Sequence, residues 1–138
     1  MQTPKILTNF APAQQIMEGK RTHSIHGTVI RGKGLGRLHD MPTANLRPDE
    51  GEILPEEGVW ATSVLLEGKT YRGLTNVGPR PTVDEDPAIS VETMIIDFDE
   101  DLYGKEMTLI FRKRIRSVMK FSSLDALRRQ IAEDMKEL

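Results

Sequence analysis

Residues 58–77 read "GVWATSVLLEGKTYRGLTNV", and this stretch decides the fold. Apolar and β-branched residues fill the first half, a Gly68–Lys69 pair interrupts, and "TYRGLTNV" leads away at 70–77. Two β-prone runs on either side of a tight turn read as a hairpin. The same signals recur outward from it. "SIHGTVI" at 24–30 reads as a strand running into a glycine-rich loop. "AISVETMIIDF" at 88–98 is a further strand, the acidic "DEDLYGK" at 99–105 turns the chain, and "EMTLIFRKRI" at 106–115 returns. Short, regular spacing with no helices between the strands favours an antiparallel sandwich or closed barrel over a parallel α/β sheet.

The period changes at the C-terminus. Leu124, Leu127, Ile131, Met135 and Leu138 are spaced by three, four, four and three residues, which places them on one face of a helix. Ser122 or Ser123 offers an N-cap oxygen, and Asp125 in the first turn suits the helix dipole. At the other end, "APAQQIMEGK" suggests a short helix with Pro12 near its start and Gly19 just past its end. Residues 1–24 therefore read as an extension, and residues 25–138 as a single barrel domain.

The chain of 138 residues suffices for one core. A net charge of −2 argues against a protein built to coat nucleic acid. The absence of cysteine excludes disulfides, thiolate metal sites and thiol nucleophiles. No apolar run approaches a membrane span, and the N-terminus lacks the apolar core of a signal peptide. The expectation is a cytoplasmic protein with small-molecule partners, without nucleic acid or membrane, and monomeric.

Residues 32–45, "GKGLGRLHDMPTAN", carry the first chemical signal. Gly32, Gly34 and Gly36 let backbone N–H groups approach a ligand closely, and Lys33 and Arg37 add positive charge. This pattern suits phosphate oxygens, and it equally suits a surface loop between strands. It is not a Walker A loop, because the G-x-x-x-x-G-K-[ST] order is absent. In "MPTAN", Pro42 restricts the backbone and Ala44 lets Thr43 and Asn45 lie close together. Their hydroxyl and amide oxygens are hard donors of the kind Mg²⁺ accepts beside nucleotide phosphates. The alternative is a proline turn with capping side chains.

Glu92 shares a strand face with Ser90, Met94 and Ile96, while Ile89, Val91, Thr93 and Ile95 share the other. Both faces are largely apolar, so period alone does not say which is buried. A carboxylate among apolar neighbours resists ionisation and serves as a general base. A carboxylate on a wet face does not. "TNVGPRPT" at 75–82 reads either as a rigid loop or as part of a ligand rim. The acidic group Asp97, Asp99, Glu100 and Asp101 reads as a solvated turn, since the EF-hand glycine and terminal glutamate are missing. "RKRIR" at 112–116 ends a strand in an acidic protein with few aromatics, which speaks against nucleic acid. His23, His26 and His39 show no metal-ligand spacing and read as incidental.

Taken in order, "GTVIRGKGLGR…MPTANL", "LPEEGVWA", "TNVGPRPT", "VETMIIDFDEDLYGK" and "IRSVMKFSSLDALRRQIAED" resemble the riboflavin kinase domain, over about residues 25–137. In many bacteria that domain is the C-terminal half of a bifunctional flavin synthetase. The resemblance implies a six-stranded antiparallel Greek-key barrel with a C-terminal α-helix packed on it. It implies transfer of the γ-phosphoryl of ATP to the 5′-hydroxyl of riboflavin, giving FMN and ADP, with Mg²⁺ or another divalent cation required. By the same resemblance Thr43 and Asn45 match positions that bind metal and nucleotide. Gly32 and Arg37 match positions at the phosphates, with Lys33, Gly34 and Gly36 in the same loop. Glu92 matches the catalytic glutamate. Ile95 and Tyr103 match positions beside the nucleotide, and Arg116, Met119 and Phe121 fall on the flavin side. The chain departs from the usual pattern at His39, Asp40 and Met41, and at Thr93, where histidine is common. No nucleotidyl-transfer motif precedes residue 25, so the expected product is FMN and not FAD. A non-catalytic flavin-binding module on the same barrel is the alternative, and a small nucleic-acid-binding barrel is a third reading.

Overall fold

The structure, a computed structural model, describes residues 10–11, 23–31, 43–79 and 89–138. Along the chain come β1 (Phe10–Ala11), β2 (His23–Ile30), β3 (Thr43–Pro48), β4 (Leu54–Pro55), β5 (Gly58–Leu66), β6 (Lys69–Pro79), β7 (Ile89–Ile95), β8 (Glu106–Arg116) and helix α1 (Leu124–Met135). Six strands close into a barrel in the order β2-β3-β7-β6-β5-β8, and every pairing in it is antiparallel. The short β1 and β4 form a separate parallel pair. Closure removes the unpaired sheet edges that an open sheet of this length would expose.

The hairpin read from 58–77 is present, with its turn one residue earlier than expected. Leu66 pairs with Lys69, so Glu67 and Gly68 are the two loop residues. Both have positive φ, 51° and 82°, the signature of a type I′ turn. Glycine removes the Cβ clash at the second of these positions.

Thr43–Pro48 is not the capped turn that is one of the two readings of its sequence. It is a strand, paired with β2 on one side and β7 on the other. Six residues headed by Pro42 give little local signal, and only the two neighbours make this segment extended. "TNVGPRPT" divides likewise: residues 75–79 complete β6, and the remainder lies outside the described residues. The helix expected within residues 11–20 also lies outside them, apart from Ala11, which is in β1.

Alternate residues of each strand point into the barrel. Trp60 and Phe111 are fully buried there and meet edge to face at 5.5 Å between ring centroids. Val64, Val77, Val91 and Leu109 fill the space around them. The interior also holds three buried threonines. Thr75 Oγ1 lies 2.9 Å from both Thr62 Oγ1 and Thr93 Oγ1, a closed chain of hydroxyls across β5, β6 and β7. A Cβ at Gly73 would come within 2.8 Å of Thr62 Oγ1, so glycine keeps room for this chain.

Helix α1 covers one patch of the barrel's outer wall. Leu127 and Ile131 pack on Val59, Leu74 and Met94, a contribution on the order of 1.5–3 kcal/mol per fully buried side chain. Ser123 is the N-cap, accepting from Ala126 N at 3.1 Å, with Asp125 in the first turn. The buried face is narrower than the apolar spacing suggested. Leu124 and Met135 are exposed, and the third buried helix residue is Asp134. A pattern built from apolar residues alone cannot include it.

Candidate active site

Strand registers place five residues in one straight row across the outer wall. Asn45 on β3 faces Glu92 on β7, and Glu92 faces Asn76 on β6. Asn76 faces Val59 on β5, and Val59 faces Arg116 on β8. The side chains of this row point outward, because Ala44, Leu46, Val77, Val91 and Ile95 belong to the interior cluster. Irregular register between β5 and β8 brings Arg116 opposite Val59. Such bulges re-aim side chains at barrel walls. With strands about 4.8 Å apart, Glu92 and Arg116 are separated by roughly 14 Å.

Glu92 is 3% exposed although it faces outward. Both faces of β7 are buried, one by the barrel interior and one beneath the α1 side. This answers the ambiguity of its sequence, whose two faces are both largely apolar. Thr43, two residues before Asn45 on the same face, donates from Oγ1 to Glu92 Oε2 at 3.0 Å. That bond fixes one carboxylate oxygen and leaves the Thr43 oxygen lone pairs available to a further partner.

Two concavities flank the row. A cleft of about 430 Å³ lies at the barrel mouth, lined by Arg31, Thr43, Asn45, Ile95, Tyr103 and others. That volume is in the range of small-molecule sites. Tyr103 is 55% exposed, and the Arg31 guanidinium lies 4.2 Å from its ring centroid. The second is a narrow crevice between the wall and the α1 side, lined by Val59, Leu74, Asn76, Arg116, Met119, Phe121 and Leu127. It encloses about 10 Å³, roughly the room of one water.

Arg116 is locked in place from the helix. Its Nε lies 2.9 Å from Asp134 Oδ1 and its Nη2 lies 2.8 Å from Asp134 Oδ2, a bidentate pair. Gln130 donates to the same carboxylate at 2.9 Å. The Arg116 guanidinium also lies 5.7 Å from the Phe121 ring. Asp134 is 1% exposed, so the ion pair staples α1 to β8 at the edge of the crevice.

The structure thus brings Thr43, Asn45 and Glu92 together, puts Ile95 and Tyr103 on the first cleft, and puts Arg116, Met119 and Phe121 on the second. Gly32, Lys33, Gly34, Gly36 and Arg37 lie outside the described residues. Asn76 and Asp134 join the site unannounced. The first is hidden in a motif that reads as a loop, the second in a helix pattern that counts apolar residues only.

One histidine is not incidental. His26 Nδ1 lies 2.6 Å from Asp49 Oδ2 and its Nε2 lies 3.1 Å from Glu106 Oε1. The hydrogen bond that His26 Nδ1–H donates to Asp49, with the charges of Asp49, Glu106 and Glu52, raises its pKa above 6.5 despite some desolvation. It stands four residues along β2 from Ile30, the neighbour of Asn45, well away from the row.

Fold and site together define a small closed barrel whose outer wall sets one carboxylate between a cleft of small-molecule size and a narrow crevice. A family model described as riboflavin kinase matches residues 19–138. The bifunctional riboflavin kinase/FMN adenylyltransferase of Escherichia coli K12 is 41% identical over 127 residues, covering 91% of this chain and 39% of that protein. Its counterpart in Listeria monocytogenes is 34% identical over 112 residues, covering 81% of this chain and 36% of that protein. The chain thus spans less than two fifths of the length of these relatives. Among solved structures, a macrolide-efflux protein from Streptococcus pneumoniae superposes with a TM-score of 0.78 at 30% identity, covering 90% of this chain and 43% of that one. Riboflavin kinase from Trypanosoma brucei superposes with a TM-score of 0.59 at 26% identity, covering 82% and 74%. The chain belongs to the riboflavin kinase family. No described helix is long and apolar enough to cross a membrane.

Proposed function

We propose that the protein is a riboflavin kinase that transfers the terminal phosphoryl group of ATP to the 5′-hydroxyl of riboflavin, giving FMN and ADP. One observation carries this reading. Glu92 sits in a single cross-strand row, with the cleft lined by Thr43 and Asn45 on one side and the crevice lined by Asn76 and Arg116 on the other. A phosphoryl donor and a hydroxyl acceptor held in those two places would meet at its carboxylate.

Phosphoryl transfer depends on positioning and charge neutralisation more than on covalent help. Glu92 would orient the 5′-hydroxyl and accept its proton at the carboxylate. Thr43 holds that carboxylate in one rotamer through its 3.0 Å bond. Ile95 and Tyr103 would flank the nucleotide, with Gly32, Lys33, Gly34, Gly36 and Arg37 at its phosphates. Arg116, Met119 and Phe121 would bound the flavin ring. The crevice is too small for that ring, so Met119, which is 42% exposed, would have to swing aside on binding.

Thr43 and Asn45 fit a divalent cation such as Mg²⁺. They are neutral oxygen donors two residues apart on one strand face, both lining the nucleotide-sized cleft. Mg²⁺ held by few protein ligands and by phosphates supplies charge neutralisation at the phosphoryl group. The kinase unit is read as residues 25–138, with 1–24 an extension. Incubation with riboflavin, ATP and MgCl₂, followed by chromatography, tests the proposal. FMN and ADP in equal amounts are expected, and flavin binding without turnover would instead establish a non-catalytic module.

A further inference from the structure

Asn76 stands directly opposite Glu92, one strand closer to Arg116. It is 7% exposed, and its side chain lines the crevice beside Met119 and Phe121. Among the described residues no hydrogen bond engages its amide. The neighbouring threonines, Thr75 and Thr93, are by contrast closed on one another. Its donor and acceptor groups therefore remain available at the crevice to a ligand that carries hydroxyl groups. An amide both donates and accepts, so it can bind a hydroxyl in either sense.

The geometry points to a selective role for this residue, resting on the kinase reading above. We propose that Asn76 is a positioning residue that binds the hydroxyl next to the one being phosphorylated. The site would thereby select a polyhydroxylated side chain over an alkyl one. Asn76 and Glu92 lie on adjacent strands about 4.8 Å apart, so their side chains flank one point on the wall. Vicinal hydroxyls of an extended polyol can engage both at once. The amide then fixes the rotation of the chain end that presents the reacting oxygen to Glu92.

The test compares riboflavin with 4′-deoxyriboflavin on wild type and on Asn76→Ala. Flavin affinity is read by fluorescence quenching, and KM for ATP is read separately. Wild type is expected to bind riboflavin about tenfold tighter than the deoxy analogue, the worth of one such hydrogen bond. Asn76→Ala should lose about that factor for riboflavin, lose nothing for the analogue, and keep its KM for ATP. Equal losses for both flavins, or no loss for either, would overturn the proposal. If Asn76→Ala does not fold, Asn76→Ser carries the same comparison, with a smaller loss expected for riboflavin alone. Wild type that leaves riboflavin unphosphorylated would overturn the kinase reading, whereas an active wild type with an indifferent Asn76→Ala would overturn only this inference.

Discussion

The two sides of β7 differ in what their buried polar groups do. Inside the barrel, Thr93 belongs to a chain with Thr75 and Thr62 in which each hydroxyl has a partner. Outside, Glu92 is as deeply buried, yet it stands between Asn45 and Asn76, and both of those line concavities. One strand thus carries a closed polar layer on one face and an addressable one on the other. The difference shows that burial alone does not mark a functional group. What marks it is burial beside a concavity that a ligand can enter.

Substitution on the outer face should remove activity without unfolding the protein. Glu92→Gln is expected to lower kcat by about 10²–10⁴, the usual worth of a general base, while the urea unfolding midpoint stays within the range of ordinary surface variants. A variant with full kcat would break the comparison, because Glu92 would then be no more functional than Thr93.

The next largest effect concerns the staple that shapes the crevice. Asp134→Ala leaves Arg116 without its bidentate partner. Destabilisation of about 3 kcal/mol is expected, the lower end for a broken buried pair, because Arg116 is still 16% exposed and can turn toward water. Urea denaturation measures it. A loss below about 1 kcal/mol would mean that α1 is held by Leu127 and Ile131 alone.

On the inner face the expectation reverses. Thr75→Val removes the middle hydroxyl and strands those of Thr62 and Thr93. A cost of about 1–3 kcal/mol is expected, with KM for either substrate nearly unchanged. A kinetic defect larger than the stability defect would show that the interior chain reaches the site through Thr93, which lines the nucleotide-sized cleft.

The smallest effect lies away from both faces, at His26. Its pKa is raised in the folded protein by Asp49, then by the charges of Glu106 and Glu52. The protonated form therefore favours folding. That contribution is complete below pH 6.5, the unfolded value, and is lost as pH rises through the raised folded value. His26 is 38% exposed, so the effect should not exceed about 1 kcal/mol. Stability curves of wild type and His26→Gln should converge above that transition and separate below it. Curves that stay parallel across the transition would rule the pair out as a contributor.

Much of this architecture is legible from residues alone, and what is not has identifiable causes. The 58–77 hairpin announces itself through β-branched runs around Glu67–Gly68, both of which adopt positive φ. The β7 and β8 strands and the helix cap at Ser123 are equally local signals. β3 is not legible, because six residues after a proline look like a turn until two strands flank them. Asp134 escapes because a helical stripe counts apolar residues, and its burial depends on an arginine 18 positions earlier. His26 shows no metal spacing, and its carboxylate partners come from 23 and 80 positions further along the chain.

By itself the sequence determined the elements whose cause is local: alternation in the strands, the tight turn, the capped helix, and the ordered motifs that resemble a riboflavin kinase. It also singled out Glu92, Thr43 and Asn45 as chemically capable groups. Only the tertiary structure decided that Asn45, Glu92, Asn76 and Arg116 form one row, and that a carboxylate facing out of the barrel is nonetheless buried. The physical reason is that register between distant strands is set by closure and core packing around Trp60 and Phe111. No segment of the row carries that information by itself.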